Sequence, residues 1–167
     1  FRVDIRKEEI QYKDQVQSGH SKLESVAMDV TNPNLIGKTV GYIKQFVEHE
    51  LAVARVERDG GFLVAMDDIV IQSGDRIHGA SSSNYFEALS YKIGPVVISK
   101  KRESDGDLAV AHILVTKRKI QGRTIEQIGI YRRYEANITR IYRAGMEILP
   151  THSTVIERGD TLRIVGK

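Results

Sequence analysis

The chain repeats itself without a gap. Gly74-Asp75 and Gly159-Asp160 stand 85 residues apart, and the same offset pairs Gly37 with Gly122, Thr39 with Thr124, Ile43 with Ile128 and Gly60 with Gly145. It also pairs Arg55 with Arg140, Arg58 with Arg143, Val30-Thr31 with Val115-Thr116, and Val70-Ile71 with Val155-Ile156. So many identities on one diagonal point to two copies of one small module, at roughly 20–94 and 108–167.

Each copy has the same order of signals. A strand opens it, SVAMDVT or AVAHILVT, and a turn ending in Gly-Lys-Thr or Gly-Arg-Thr follows. A helix comes next, with Val40, Ile43 and Val47 on one face in the first copy and Ile125, Ile128 and Tyr131 in the second. LAVARVER and ANITRIYR alternate β-branched with polar residues, as strands do. Gly60-Gly61 and Ala144-Gly145 turn the chain into a short strand. IVIQSGDRIHGA and TVIERGDTLRIVG then read as two strands joined at Gly-Asp, a tight-turn pair. The first copy continues into SNYFEALSYKIG, a helix opened by a Ser/Asn cap. The second copy stops at Lys167, so its helix is either cut away or absent. Residues 95–107, with the charged run SKKRESDGD, read as a linker. Residues 1–19 read as a charged leader, helical around Glu8 to Val16.

Composition narrows the class. The chain has 167 residues and 41% apolar content, enough for a core. No apolar run reaches the length of about 18 residues needed to span a bilayer, and the charged N-terminus does not read as a signal peptide. The absence of cysteine fits a reducing compartment. A net charge of +3 is too mild to argue for nucleic acid. The start at Phe1 rather than Met suggests a piece of a longer protein.

The motif that suggests chemistry is NPNLIGKTV, residues 32–40, which ends like a phosphate-binding P-loop. That loop needs a glycine where Asn32 stands, and Pro33 removes a further backbone donor. In the second copy Lys117 stands at the glycine position and Arg123 replaces the lysine. Thr39 and Thr124 therefore read as helix N-caps after a glycine turn. No G-x-G-x-x-G fingerprint occurs. The histidines at 20, 49, 78, 112 and 152 form no metal-binding pair, and no Ser/His/Asp order can be defended. Neither catalytic nor metal residues are assigned, and no cofactor is expected. The Gly-Asp pairs offer one carboxylate per module, poor for Ca²⁺ or Mg²⁺. Asn137-Ile138-Thr139 is a glycosylation sequon only in a secreted chain.

The arginines allow two readings. Arg55 and Arg58 share one strand, as do Arg140 and Arg143, and a spacing of three sends each pair to opposite faces. Two facing modules could bring Arg55 and Arg140 together near a pseudo-twofold axis, forming a cleft for an anion. The same residues could instead line a solvated or salt-bridged strand face, the reading that the residues themselves favour. Arg55, Arg58, Arg140 and Arg143 are the candidate ligand-binding residues.

Strand, N-P-x-L-x-G-K-T, helix, R-x-x-R-x-G, then V-I-x-x-G-D: this order resembles the RCK_C (TrkA_C) module of potassium-channel and transporter gating subunits, over both copies. Two such modules in tandem without a nucleotide-binding domain are similar to the cytosolic region of the aspartate–alanine exchanger (AspT/YidE-like) transporters. The resemblance implies an α+β fold: two small, mainly antiparallel β-sheet modules with one or two helices each, packed as an intrachain pseudo-dimer. It implies a cytoplasmic regulatory domain of an inner-membrane transporter, ligand-sensing or gating, with no catalysis. Its partners would be the membrane portion of the parent, a small anionic or nucleotide ligand and further copies in a homo-oligomer, and not nucleic acid. Arg2, Arg6 and Lys7 agree with a segment leaving a membrane helix on the positive side. A ligand-free dimerisation module and a potassium-uptake regulatory domain are the alternatives.

Overall fold

A computed structural model describes residues 22–100, 104–105 and 107–167. The leader and its expected helix lie outside the described residues. The first sheet draws on β1 (Leu23–Asp29), β2 (Leu51–Arg58), β3 (Gly61–Val64), β4 (Arg76–Ser82) and β5 (Val96–Ile98), in the order β3-β2-β4-β1-β5. The second draws on β6 (Ser104–Asp105), β7 (Leu108–Leu114), β8 (Ala136–Arg143), β9 (Met146–Ile148) and β10 (Thr161–Gly166), in the order β6-β7-β10-β8-β9. All pairings are antiparallel, and β1, β2 and β4 match β7, β8 and β10 in position within the repeat. The architecture is α+β. β5 falls inside the stretch expected to be linker, where Val96 packs against the first core as an edge strand on β1.

The Gly-Lys-Thr and Gly-Arg-Thr turns do what the sequence indicates. Gly37 and Gly122 take φ of 82° and 78°, in the left-handed region that suits glycine. The Thr39 hydroxyl accepts from the Tyr42 N–H at 3.2 Å and caps α1 (Val40–Phe46). Thr124 caps α3 (Ile125–Ile128) in the same way, with Gln127 returning the bond.

Three expectations change. Gly129 adopts φ of 64°, so the second copy's helix breaks into α3 and α4 (Ile130–Tyr134), and Tyr131 leaves the face it was expected to share with Ile125 and Ile128. Lys44 holds the equivalent place in α1 and the helix runs on. Secondly, the segments before Gly-Asp are not strands. Ile71 pairs its N–H and C=O with Lys38 and Gly37, and Ile156 does the same with Arg123 and Gly122, so these residues clasp the turn ahead of the helix. Thirdly, β2 and β8 are not half-exposed: their first six residues are buried. A bulge in each strand, between Val53 and Arg55 and between Ile138 and Arg140, shifts the pleat at the same repeat position.

That double burial arises because the sheets pack together. Val53 and Val56 face the first core with α1 and α2 (Phe86–Lys92), and Ile138 and Ile141 face the second. Ala54 and Val64 meet Leu108 and Val165 in a cluster shared by both halves.

Candidate functional site

The junction between the halves has a polar side at the helices and a cationic side further along β2 and β8. On the helix side a cleft of about 660 Å³ opens between α1 and the broken α3–α4, lined among others by Gln45, His49, Asp67, Tyr131, Asn137 and His152. Its inner wall is a bridge of four side chains. The Lys44 ammonium donates to the Ala65 carbonyl at 2.7 Å, to Asp67 Oδ1 at 3.0 Å and to Asn137 Oδ1 at 3.1 Å. The Asn137 amide donates to the Ala54 and Ala65 carbonyls, both at 3.2 Å. The Asp67 N–H donates to the Tyr131 hydroxyl at 2.6 Å, and the Lys44 ammonium lies 4.8 Å from that ring's centre.

Each group reaches the bridge by a local feature of its strand or helix. The left-handed Gly129 releases Tyr131 from the helical stack, and strand alternation turns Asn137 toward the first half while Ile138 faces its own core. Burial pulls the Lys44 ammonium below the usual lysine value, with Asp67 opposing it. Burial raises the Tyr131 phenol.

The candidate arginines divide. Arg58 and Arg143 lie away from the cleft, each fixed in a two-pronged bond to Asp75 or Asp160. Arg55 and Arg140 do reach the junction, 8% and 0% exposed. Arg55 stacks over the Phe62 ring at 5.1 Å. Arg140 donates to the Leu23 carbonyl at 2.6 Å, Glu147 Oε2 at 2.8 Å and Ser25 Oγ at 3.1 Å. Arg163 joins them: burial, then the charges of Arg140 and Arg55, lower its guanidinium from the usual arginine value. None of these three lines the large cleft.

Lys44 and Asp67 were not singled out by the sequence, and Tyr131 and Asn137 were noted there only as a helix-face residue and as part of a sequon. The available signal was divergence between copies: Lys44 faces Gly129 in the alignment of the repeats, and Asn137 faces Ala52. Among the described residues no cluster of three or more His, Asp or Glu side chains could hold a metal.

Residues 110–167 match the TrkA-C domain family. That stretch is the second copy of the repeat. The whole chain is 31% identical to "Putative transport protein" of Histophilus somni (strain 2336) and 32% identical to its namesake in Pasteurella multocida (strain Pm70), in each case over 100% of this chain. It spans 30% of the length of these relatives. Among solved structures it is similar to the GsuK RCK domain at 10% identity, covering 87% of this chain and 61% of that one, with a TM-score of 0.43. It is also similar to S. agalactiae BusR in complex with its busA-promotor DNA at 27% identity, covering 41% of this chain and 36% of that one, with a TM-score of 0.35. Among the described residues no helix is long and apolar enough to cross a membrane.

Proposed function

We propose that the chain is a regulatory domain on the cytoplasmic side of a membrane transporter, and that its TrkA-C half and the repeat before it bind a small ligand in the cleft between them. The observation that carries this reading is the cleft's position. One wall belongs to each half, so a ligand there contacts both and favours one relative arrangement over others. Similarity to transport proteins along the full chain supplies the context. The volume falls within the usual range for small-molecule sites, about 300–1,000 Å³.

The role is binding and not turnover. His78, whose imidazole meets the Glu57 carboxylate at 2.7 Å, lies outside the cleft and is 9% exposed, without the access a substrate needs. The cleft's own charges are mixed, Lys44 and Arg132 against Glu48, Asp67 and Glu126, and Lys44 is saturated by protein oxygens. The reading therefore moves the ligand from the arginines to the bridge side, where an amphipathic molecule with hydrogen-bonding groups fits.

A thermal-shift screen of nucleotides, amino acids and cations tests it. A ligand present at 100 times its Kd should add about 2.7 kcal/mol to stability. Gln45→Trp, which fills the cleft from an exposed position, should abolish that gain while leaving the ligand-free protein equally stable. A gain that survives this substitution would move the site elsewhere. No gain with any compound would favour a ligand-free dimerisation role.

A further inference from the structure

The two halves are not equally covered. In the first, Leu89 and Ile93 at the end of α2 share one buried cluster with Val26 and Met28 of β1 and with Val30 just after it, and β5 pairs with the free edge of β1, Ile98 opposite Val26 and Val96 opposite Met28. Val26 and Met28 are 0% exposed as a result. The repeat equivalents on β7 are Ala111 and Ile113. Ala111 is exposed, and Ile113 is 47% exposed. Among the described residues only β6 touches the outer edge of β7, and it reaches Leu108 and Ala109 alone. Among the described residues the edge from Val110 to Leu114 has no strand partner, and Leu114 is 58% exposed. A bare apolar face and an open edge thus coincide on one strand. An open edge of this kind invites strand addition.

We propose that β7 is the docking site for a helix–strand segment from polypeptide outside these 167 residues, seated as residues 83–98 are seated on β1. The repeat specifies the partner's chemistry: two aliphatic side chains four apart on a short helix, as Leu89 and Ile93 are, followed by three extended residues opposite Ala111 to Ile113. The repeat also specifies its direction of entry, because α2 follows β4 directly and β10 is the equivalent of β4. Relatives more than three times as long as this chain leave ample polypeptide to supply the segment. Docking here would join the TrkA-C half mechanically to the rest of such a protein, whatever ligand the cleft takes.

The chain has no cysteine, so a single introduced thiol reports on this face. Ile113→Cys is alkylated in the isolated chain and in the complete membrane polypeptide made cysteine-free elsewhere, each rate divided by that of the same polypeptide unfolded in detergent. Ala111→Cys serves equally if the first variant fails to fold. Protection should be at least tenfold greater in the complete polypeptide than in the isolated chain. Equal protection in both would overturn the proposal. So would strong protection already present in the isolated chain: independent of concentration it would assign the face to the leader, and rising with concentration it would assign it to a second copy.

Discussion

Arg143 holds Asp160 in a two-pronged hydrogen bond, Nε to Oδ1 and Nη2 to Oδ2, both at 2.8 Å. Arg58 holds Asp75 identically 85 residues earlier, at 2.8 and 2.7 Å. Each aspartate also accepts the N–H of the residue three before it, Gln72 or Glu157, at 2.8 Å. The arginine's second amine reaches the carbonyl of Val70 or Val155 at 2.8 Å. The Gly-Asp turn is thereby tied to the strand before it and to the segment that clasps the helix turn.

Asp75→Ala or Asp160→Ala strands an arginine and a backbone N–H together. Both aspartates are 1% exposed. Because Arg58 and Arg143 are 23% and 26% exposed and keep a carbonyl partner each, the cost should be about 2 kcal/mol. Urea unfolding at pH 7 measures it, and a loss below about 1 kcal/mol would mean that water replaces the carboxylate.

The same carboxylates predict acid sensitivity. Burial alone would raise them, but the arginine fork and the backbone N–H outweigh it and hold both below the usual aspartate value. A folded value below the unfolded one, about 3.9, gives stability that is complete above that pH and is lost as pH falls through the folded value. Unfolding free energy should therefore drop steeply below about pH 4. The Asp75→Asn, Asp160→Asn double variant should start lower at neutral pH and lose less on acidification, and parallel curves for the two proteins would refute the assignment.

The turns and caps were legible in the sequence because their determinants are local: Gly37 and Gly122 permit a backbone conformation, and Thr39 and Thr124 carry the capping oxygen. The repeat made the succession of strand, turn, helix and strand readable twice over, though not the clasping role of Ile71 and Ile156 or the edge strand β5. The cleft was not legible, because its bridge joins Lys44 and Asp67 to Asn137 across 93 and 70 residues, and a helix-breaking glycine decides where Tyr131 points. Arg58 and Arg143 show the salt-bridged strand face that the sequence left open beside the ligand cleft. Spacing gave their face correctly, but only the fold shows that Asp75 and Asp160 wait there.

His78 predicts a second, milder pH effect nearer neutrality. Its Nε2 lies 2.7 Å from Glu57, and its ring meets Phe62 edge-on at 5.5 Å. Burial is the largest influence and lowers its value, the charges of Arg55 and Arg76 add to that, and Glu57 opposes them. A depressed folded value makes the neutral ring the stabilising form, so its contribution is present above about pH 6.5 and falls away as pH drops through the folded value. Stability measured from pH 7.5 to 5 should decline, and His78→Gln should flatten that decline. An unchanged slope would assign it to another histidine.

Arg140 predicts how the halves are coupled. It is wholly buried, yet two of its three partners, the Leu23 carbonyl and Ser25 hydroxyl, belong to β1 of the other sheet. The third, Glu147, also accepts the Leu23 N–H at 3.2 Å, so the three residues close a ring across the junction. At the equivalent position in the first copy, Phe62 stands in place of Glu147 beneath Arg55, so this ring is not duplicated. Arg140→Met fills much of the same space without charge but removes the buried cation facing Glu147 and the donor to the Leu23 carbonyl. The expected cost is about 3–5 kcal/mol, and the halves should then melt separately, with a calorimetric enthalpy exceeding the van't Hoff value. Arg140→Met combined with Glu147→Leu removes both charges and should recover part of the stability but not the register. A single two-state transition in Arg140→Met, at nearly unchanged stability, would show instead that the apolar contacts of Ala54, Val64, Leu108 and Val165 hold the sheets together unaided.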